Sequence, residues 1–132
     1  MPTATWTAPA QLQQIAPLRR QIVHYAGGQC VANPPLDDLR LAASEAITNC
    51  VVHAFRGVQA GTITASLRVG APGEELELVI ADDGTGMAPR TDSPGLGVGM
   101  TIIRTIARAV SVGVPPCGHG TELRMTFATA RP

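Results

Sequence analysis

Three segments with a strict two-residue alternation constrain this chain more than any other feature. In Thr62–Val69, Ile63, Ala65, Leu67 and Val69 alternate with Thr62, Thr64, Ser66 and Arg68. In Glu75–Asp82, Leu76, Leu78 and Ile80 alternate with Glu75 and Glu77. In 121–127, Leu123, Met125 and Phe127 alternate with Glu122, Arg124 and Thr126. Successive side chains of a strand point to opposite faces, so each segment reads as a strand with one dry and one wet face. A sheet of such strands needs a cover on its dry face only. Ala71-Pro72-Gly73 is a hairpin turn between the first two strands.

Segments of helical period supply that cover. Leu12, Ile15, Leu18, Ile22 and Tyr25 recur at spacings of three and four. They predict an amphipathic helix, kinked or interrupted near Pro17 and stopped at Gly27-Gly28. After an Asn33-Pro34-Pro35 linker, a second helix is expected over about 36–55, with Leu39, Ala43, Ile47, Cys50 and Ala54 as its apolar stripe. Residues 84–99 read as a loop rich in Gly and Pro, and 100–110 as a third helix, with Ile102, Ile103, Ile106 and Val110 apolar. Short strands are expected at 3–7 and 111–114, and a turn at 115–120. The sum is an α/β two-layer sandwich in one domain, residues 1–132. Its sheet is mixed but mostly antiparallel, wet on one side and covered on the other by about three helices.

Composition narrows the function. Ten basic residues balance ten acidic ones, so the chain lacks the positive field that selects nucleic acid or an anionic membrane. All the basic residues are arginine. Without lysine, the GxxxxGK[ST] phosphate loop, Schiff-base chemistry and a kinase-type strand lysine are excluded. Aromatics are only 3%, so the core must be aliphatic. Cys30, Cys50 and Cys117 are scattered without CxxC spacing, which points to reduced structural cysteines and not to a disulfide framework or zinc site. No apolar run reaches the ~18 residues of a membrane span. The first ten residues lack the pattern of a secretory signal, so a cytoplasmic location is expected.

Four short patterns carry chemistry. Glu45, Asn49 and His53 are spaced four apart on the second helix, which lines a carboxylate, a carboxamide and an imidazole along one stripe. Asp82-Asp83-Gly84-Thr85-Gly86-Met87 follows a strand, and Asp82 falls on the dry face with Leu76, Leu78 and Ile80. A carboxylate aimed there is costly unless it has partners, which the amino group and ring nitrogen of adenine could supply with a bridging water. Gly95-Leu96-Gly97-Val98-Gly99-Met100 precedes a helix, whose free N–H groups and dipole favour a phosphate. Gly118-His119-Gly120-Thr121 enters the last strand. Each pattern alone has an ordinary structural explanation: a solvated helix face, an Asp-Gly turn, a flexible loop, a turn.

In this order, the four resemble the GHKL ATPase superfamily, with its histidine-kinase-like ATPase fold. Within it, the stretch 44–55, Ser-Glu-Ala-Ile-Thr-Asn-Cys-Val-Val-His-Ala-Phe, and Gly99-Met100-Thr101-Ile102-Ile103 resemble the small bacterial anti-sigma factors that are also serine kinases. The resemblance covers nearly the whole chain. It implies ATP and Mg²⁺ as cofactors, with Glu45 as general base, Asn49 as the Mg²⁺ ligand and His53 lining the phosphate side. It further implies that Asp82 recognises the adenine amino group and that Gly84 and Gly86 let the nucleotide approach. Gly95, Gly97, Val98, Gly99 and Met100 would lie on the phosphate side, and Thr121 would complete the adenine hydrogen bonds.

The implied partners are a sigma factor and an anti-sigma antagonist protein, with a homodimer expected by analogy. One departure stands out. Serine-kinase members carry an arginine just before the second glycine box, where this chain has Pro94-Gly95-Leu96, and Arg90 is the only basic residue of the lid. That departure leans toward a kinase-inactive nucleotide-binding module; Gly95-Leu96-Gly97 is also compatible with a switch-type serine kinase acting on a scaffold protein, and a histidine-kinase catalytic fragment is a further alternative.

Overall fold

A computed structural model of the chain describes residues 3–56, 61–71, 73–83, 94–118 and 120–129. Strand β1 (Thr3–Pro9) leads through a short 3-10 turn to helix α1 (Ile15–Gly28) and then helix α2 (Pro35–Arg56). Strands β2 (Thr62–Val69) and β3 (Glu75–Asp82), helix α3 (Pro94–Ile106), strand β4 (Ala109–Gly113) and strand β5 (Thr121–Ala128) follow. The sheet order is β1-β2-β3-β5-β4, and every described pairing is antiparallel. The parallel component expected of a mixed sheet is thus not found among the described residues.

The dry face is the one the alternation predicts. Ile63, Ala65, Leu67 and Val69 of β2, Leu76, Leu78 and Ile80 of β3, and Leu123, Met125 and Phe127 of β5 are all buried. The helices meet them with Leu18, Ile22, Leu39, Ala43, Ile47 and Ile103. Among the described residues, Phe127 is the one aromatic in this core; Trp6 on β1, edge-on to Tyr25 on α1 at 5.8 Å, packs against its margin. Burying each Leu or Ile side chain contributes about 1.5–3 kcal/mol before the entropy of ordering is counted.

Helix boundaries follow local chemistry. Pro17 lies in the first turn of α1, where proline is tolerated, and does not kink a longer helix. Pro35 opens α2, and Asp37 and Asp38 sit in its first turn, where the dipole favours acids. Helix α3 begins earlier and ends sooner than the sequence suggests. Pro94, with its fixed φ, starts it, so Gly95, Gly97, Val98 and Gly99 are helical and not part of a loop, and Met100 is helical as expected. It stops at Ile106, and Val110 belongs to β4. Glycine is a poor helix former, but contacts with α2 outweigh propensity here.

Candidate functional site

Of the predicted residues, Asn49, Asp82 and Thr121 meet where α2 faces the ends of β3 and β5, and Gly99 of α3 comes up against Glu45 and Asn49. On α2, Asn49 is buried, at 9% exposure, and Glu45 one turn before it is half-buried. Gly99 of α3 faces this stripe. A Cβ placed on Gly99 would stand 3.0 Å from Oε2 of Glu45 and 3.6 Å from both Nδ2 and Oδ1 of Asn49. Glycine therefore lets α3 approach a carboxylate and a carboxamide closely. Gly95 falls in the first turn of α3, where N–H groups have no intrahelical partner; Gly99 lies in the second turn, and its contribution is the missing side chain.

Asn49 is distinctive. Its Nδ2 is buried and has no hydrogen-bond partner. Such a group costs about 1–3 kcal/mol in a closed core, so it marks a place where an external polar atom is wanted. The carboxamide oxygen on the same side chain is the type of hard oxygen donor that Mg²⁺ accepts.

At the other end of the site, Asp82 is the last residue of β3 and is 8% exposed. Strand register sets it directly beside Thr121 of β5 and Ile63 of β2. The neighbouring Asp83 points the opposite way and is structural: its Oδ1 accepts from the Thr62 backbone N–H at 2.6 Å, tying the ends of β2 and β3 together. Cys50, one residue beyond Asn49, lines one small cavity with Asp82. Burial, and then the adjacent Asp82 carboxylate, push its thiol well above the ordinary cysteine range, so it remains protonated. Ala46, Asn49, Cys50, Ile80, Asp82, Thr121 and Leu123 enclose a cavity of about 30 Å³. That is room for a water or an exocyclic amino group, with a carboxylate in its wall.

Gly120 makes this arrangement possible. Its φ is +94°, and a Cβ there would overlap the carbonyl oxygen of Asp82 and stand 3.1 Å from Cα of Asp83. The chain entering β5 therefore passes directly against the end of β3, which only glycine allows. Sequence reasoning placed Gly120 in a turn and Cys50 in an apolar stripe. The glycine-before-strand pattern was a signal for the first; nothing in the sequence distinguishes the second from a core residue. The side chain of His53, and Gly84, Gly86 and Arg90, lie outside the described residues, as do the side chains of Leu96 and Val98. Met100 is half-buried on α3.

A larger concavity, about 570 Å³, lies on the solvated face of the sheet. Asp82 and Asp83 lie at its margin, and its other charged residues partner each other: Arg124 bridges Glu77 at 2.7 Å and Glu122 at 2.9 Å, and Arg68 lies 3.9 Å from Glu77. Of the two buried polar atoms without a partner among the described residues, Asn49 Nδ2 and Thr126 Oγ1, the first belongs to a residue that lines the small cavity, which is why chemistry and not volume locates the site.

An antiparallel sheet with helices on one face thus sets Asn49 and Asp82 in the wall of one small cavity, and the comparisons give the class of domain. Residues 8–127 match the family model of the histidine kinase-like ATPase domain, and the chain belongs to that family. The histidine kinase AdeS of Acinetobacter baumannii shares the fold, with a TM-score of 0.50 over 96% of this chain and 68% of that one at 16% identity.

Within the family the chain belongs with the serine-protein kinases and anti-sigma factors. It is 30% identical over 90 residues to the serine-protein kinase RsbW of Bacillus licheniformis, covering 68% of this chain and 55% of that one. It is 31% identical over 100 residues to the anti-sigma F factor of Thermoanaerobacter sp. (strain X514), covering 67% of each. The chain thus spans little more than half the length of the first of these relatives.

Proposed function

We propose that this chain is an ATP-binding anti-sigma factor with serine/threonine kinase activity toward an anti-sigma antagonist protein. The carrying observation is the pairing, in the wall of one small cavity, of Asn49, whose Nδ2 is buried and unpartnered, with a buried carboxylate beside Thr121. ATP would lie with its adenine amino group at Asp82 and Thr121 and its phosphates at Asn49 and the first turn of α3. Gly84, Gly86, Gly97 and Val98 are assigned to the nucleotide and His53 to the phosphate side on sequence grounds. Asn49 would hold Mg²⁺ through Oδ1; the ion, when bound, would neutralise charge on the phosphate oxygens.

Glu45 is assigned the proton of the attacking serine hydroxyl. Its carboxylate lies beside Gly99, at the phosphate end, and phosphoryl transfer asks mainly for positioning and charge neutralisation. The name of the anti-sigma relative supports a sigma factor as partner; an antagonist protein, a cytoplasmic location and a role in transcription control belong to the same reading. A homodimer is part of the same reading. Pro94-Gly95-Leu96, standing where an arginine is expected, favours a second reading in which nucleotide is bound but transfer is weak. Loss of one charge contact to a transferring phosphoryl group lowers the rate by a factor on the order of hundreds.

The test uses labelled ATP, Mg²⁺ and antagonist proteins encoded beside this chain. Label on an antagonist serine supports the kinase; tight Mg-ATP binding without transfer to a partner that forms a complex leaves the second reading. Asn49→Ala is expected to abolish Mg-ATP binding by calorimetry, and Glu45→Ala to retain binding and lose transfer. Wild-type affinity in Asn49→Ala would sink the metal assignment.

A further inference from the structure

We propose that β4 is a dimerisation edge, on which a second copy of this chain adds antiparallel to make one continuous sheet. The inference deepens the homodimer part of the reading above and stands apart from the nucleotide assignment. β4 ends the sheet, so among the described residues its outer edge has no partner strand. Natural edges are blunted by charge, proline or a bulge. From Ala109 to Gly118 this chain carries no charged residue, and no proline falls within β4 itself. The opposite edge, β1, ends on Pro9, and its large apolar residue, Trp6, is half-buried against Tyr25.

Strand register shows what β4 leaves uncovered. Val110 and Val112 stand opposite Met125 and Leu123 of β5, and directly opposed residues share a face. Both valines therefore lie on the dry face, where Met125 and Leu123 are buried. Yet Val112 is 39% exposed, and Val114, just past the strand, 61%. Among the described residues, the other exposed large hydrophobics, Leu12 and Leu41, lie on different elements, so β4 is where they gather. The helical layer stops short of this edge.

The sequence of the strand selects the occupant. Pairing about a two-fold axis must be antiparallel and self-complementary. Ala109-Val110-Ser111-Val112-Gly113 reads nearly the same in both directions from Ser111. With the axis at Ser111, Val110 of each copy stands opposite Val112 of the other. The two serines then meet on the wet face, the face of Arg124 across the ladder. An axis perpendicular to the sheet keeps the dry faces continuous, so the valines of both copies close into one strip between the two helical layers. No like charges oppose one another along it.

The experiment is sedimentation equilibrium on the full chain without nucleotide, from about 10 to 500 µM, the range suited to a weak edge interface below ~1,200 Å². Wild type is expected to rise toward the mass of a dimer across this range. Val112→Lys, which puts a charge on the edge, should stay monomeric with an unchanged unfolding midpoint; Leu12→Lys should associate as wild type does. A second readout uses Ser111→Cys in a Cys30→Ser, Cys117→Ser background, with diamide as oxidant. Opposed Cα atoms about 4.5–5.5 Å apart are within reach of a disulfide, so a reducible dimer should form. A monomer at every concentration would overturn the proposal and leave the ATP and kinase readings to their own tests. Association that survives Val112→Lys would place the interface elsewhere and overturn it equally. So would a disulfide through Thr5→Cys, on β1, in place of one through Ser111→Cys.

Discussion

Asp82 and Asp83 stand side by side, yet one faces the cavity and the other closes a strand end, because a period of two sends neighbours to opposite faces. Cys50 connects this local rule to stability. Its pKa is raised in the folded chain, by burial first and then by Asp82, so folding favours the protonated thiol. Above about pH 8.5, an unfolded cysteine releases its proton while the folded one holds it. The unfolded state then binds fewer protons, and stability falls as pH rises, by up to about 1.4 kcal/mol per pH unit from this group. Below that range the contribution is fully present. Urea unfolding of wild type and Cys50→Ser should therefore run parallel from pH 6 to 8 and diverge toward pH 10, wild type falling faster. Parallel curves throughout would contradict the buried, carboxylate-facing thiol.

At the scale of elements, β3 carries the most. It pairs with β2 on one side and β5 on the other, its dry face supports α2, and its last residue enters the site. Its two faces should respond very differently to truncation. Leu78 is fully buried, so Leu78→Ala is expected to cost about 2–5 kcal/mol by denaturant unfolding. Arg124, across the sheet on the wet face, has its side chain 45% exposed, and its ion pairs with Glu77 and Glu122 are screened by solvent. Arg124→Ala should cost no more than about 1 kcal/mol. Comparable losses for the two would mean the sheet is not covered on one side only. Helix α3 shows where element-scale reading failed: a run of glycines reads as loop, but packing against α2 makes a helix of it from Pro94.

For the whole molecule, the site is a junction of segments distant in sequence, so its ligand should act as a brace between them. A ligand that binds only the folded state at a hundred times its Kd stabilises by about 2.7 kcal/mol. Mg-ATP at that excess should raise Tm by roughly 10 °C for a domain of this size, and GTP at the same concentration by less. A Tm indifferent to Mg-ATP would argue against nucleotide binding altogether. Among the described residues, no helix is long and apolar enough to cross a membrane.

Much of this was legible before any coordinates. Alternation and helical period are properties of the backbone itself, so they revealed which residues are strands, which face is dry, and that Asp82 lies on it with Glu45 and Asn49 on one helical stripe. The lack of lysine, set beside four ordered motifs, also limited how a phosphate could be held. Tertiary structure alone decided what meets what: Asp82 against Thr121 through strand register, Gly120 across the carbonyl of Asp82, Gly99 over Asn49, and Cys50 in one small cavity with Asp82. These contacts join residues far apart in the chain, and local periodicity carries no information about such distances. Only the packing of one layer on the other sets them, and that packing turns an apolar-stripe cysteine into a partner of the pocket that was expected to hold ATP without a lysine.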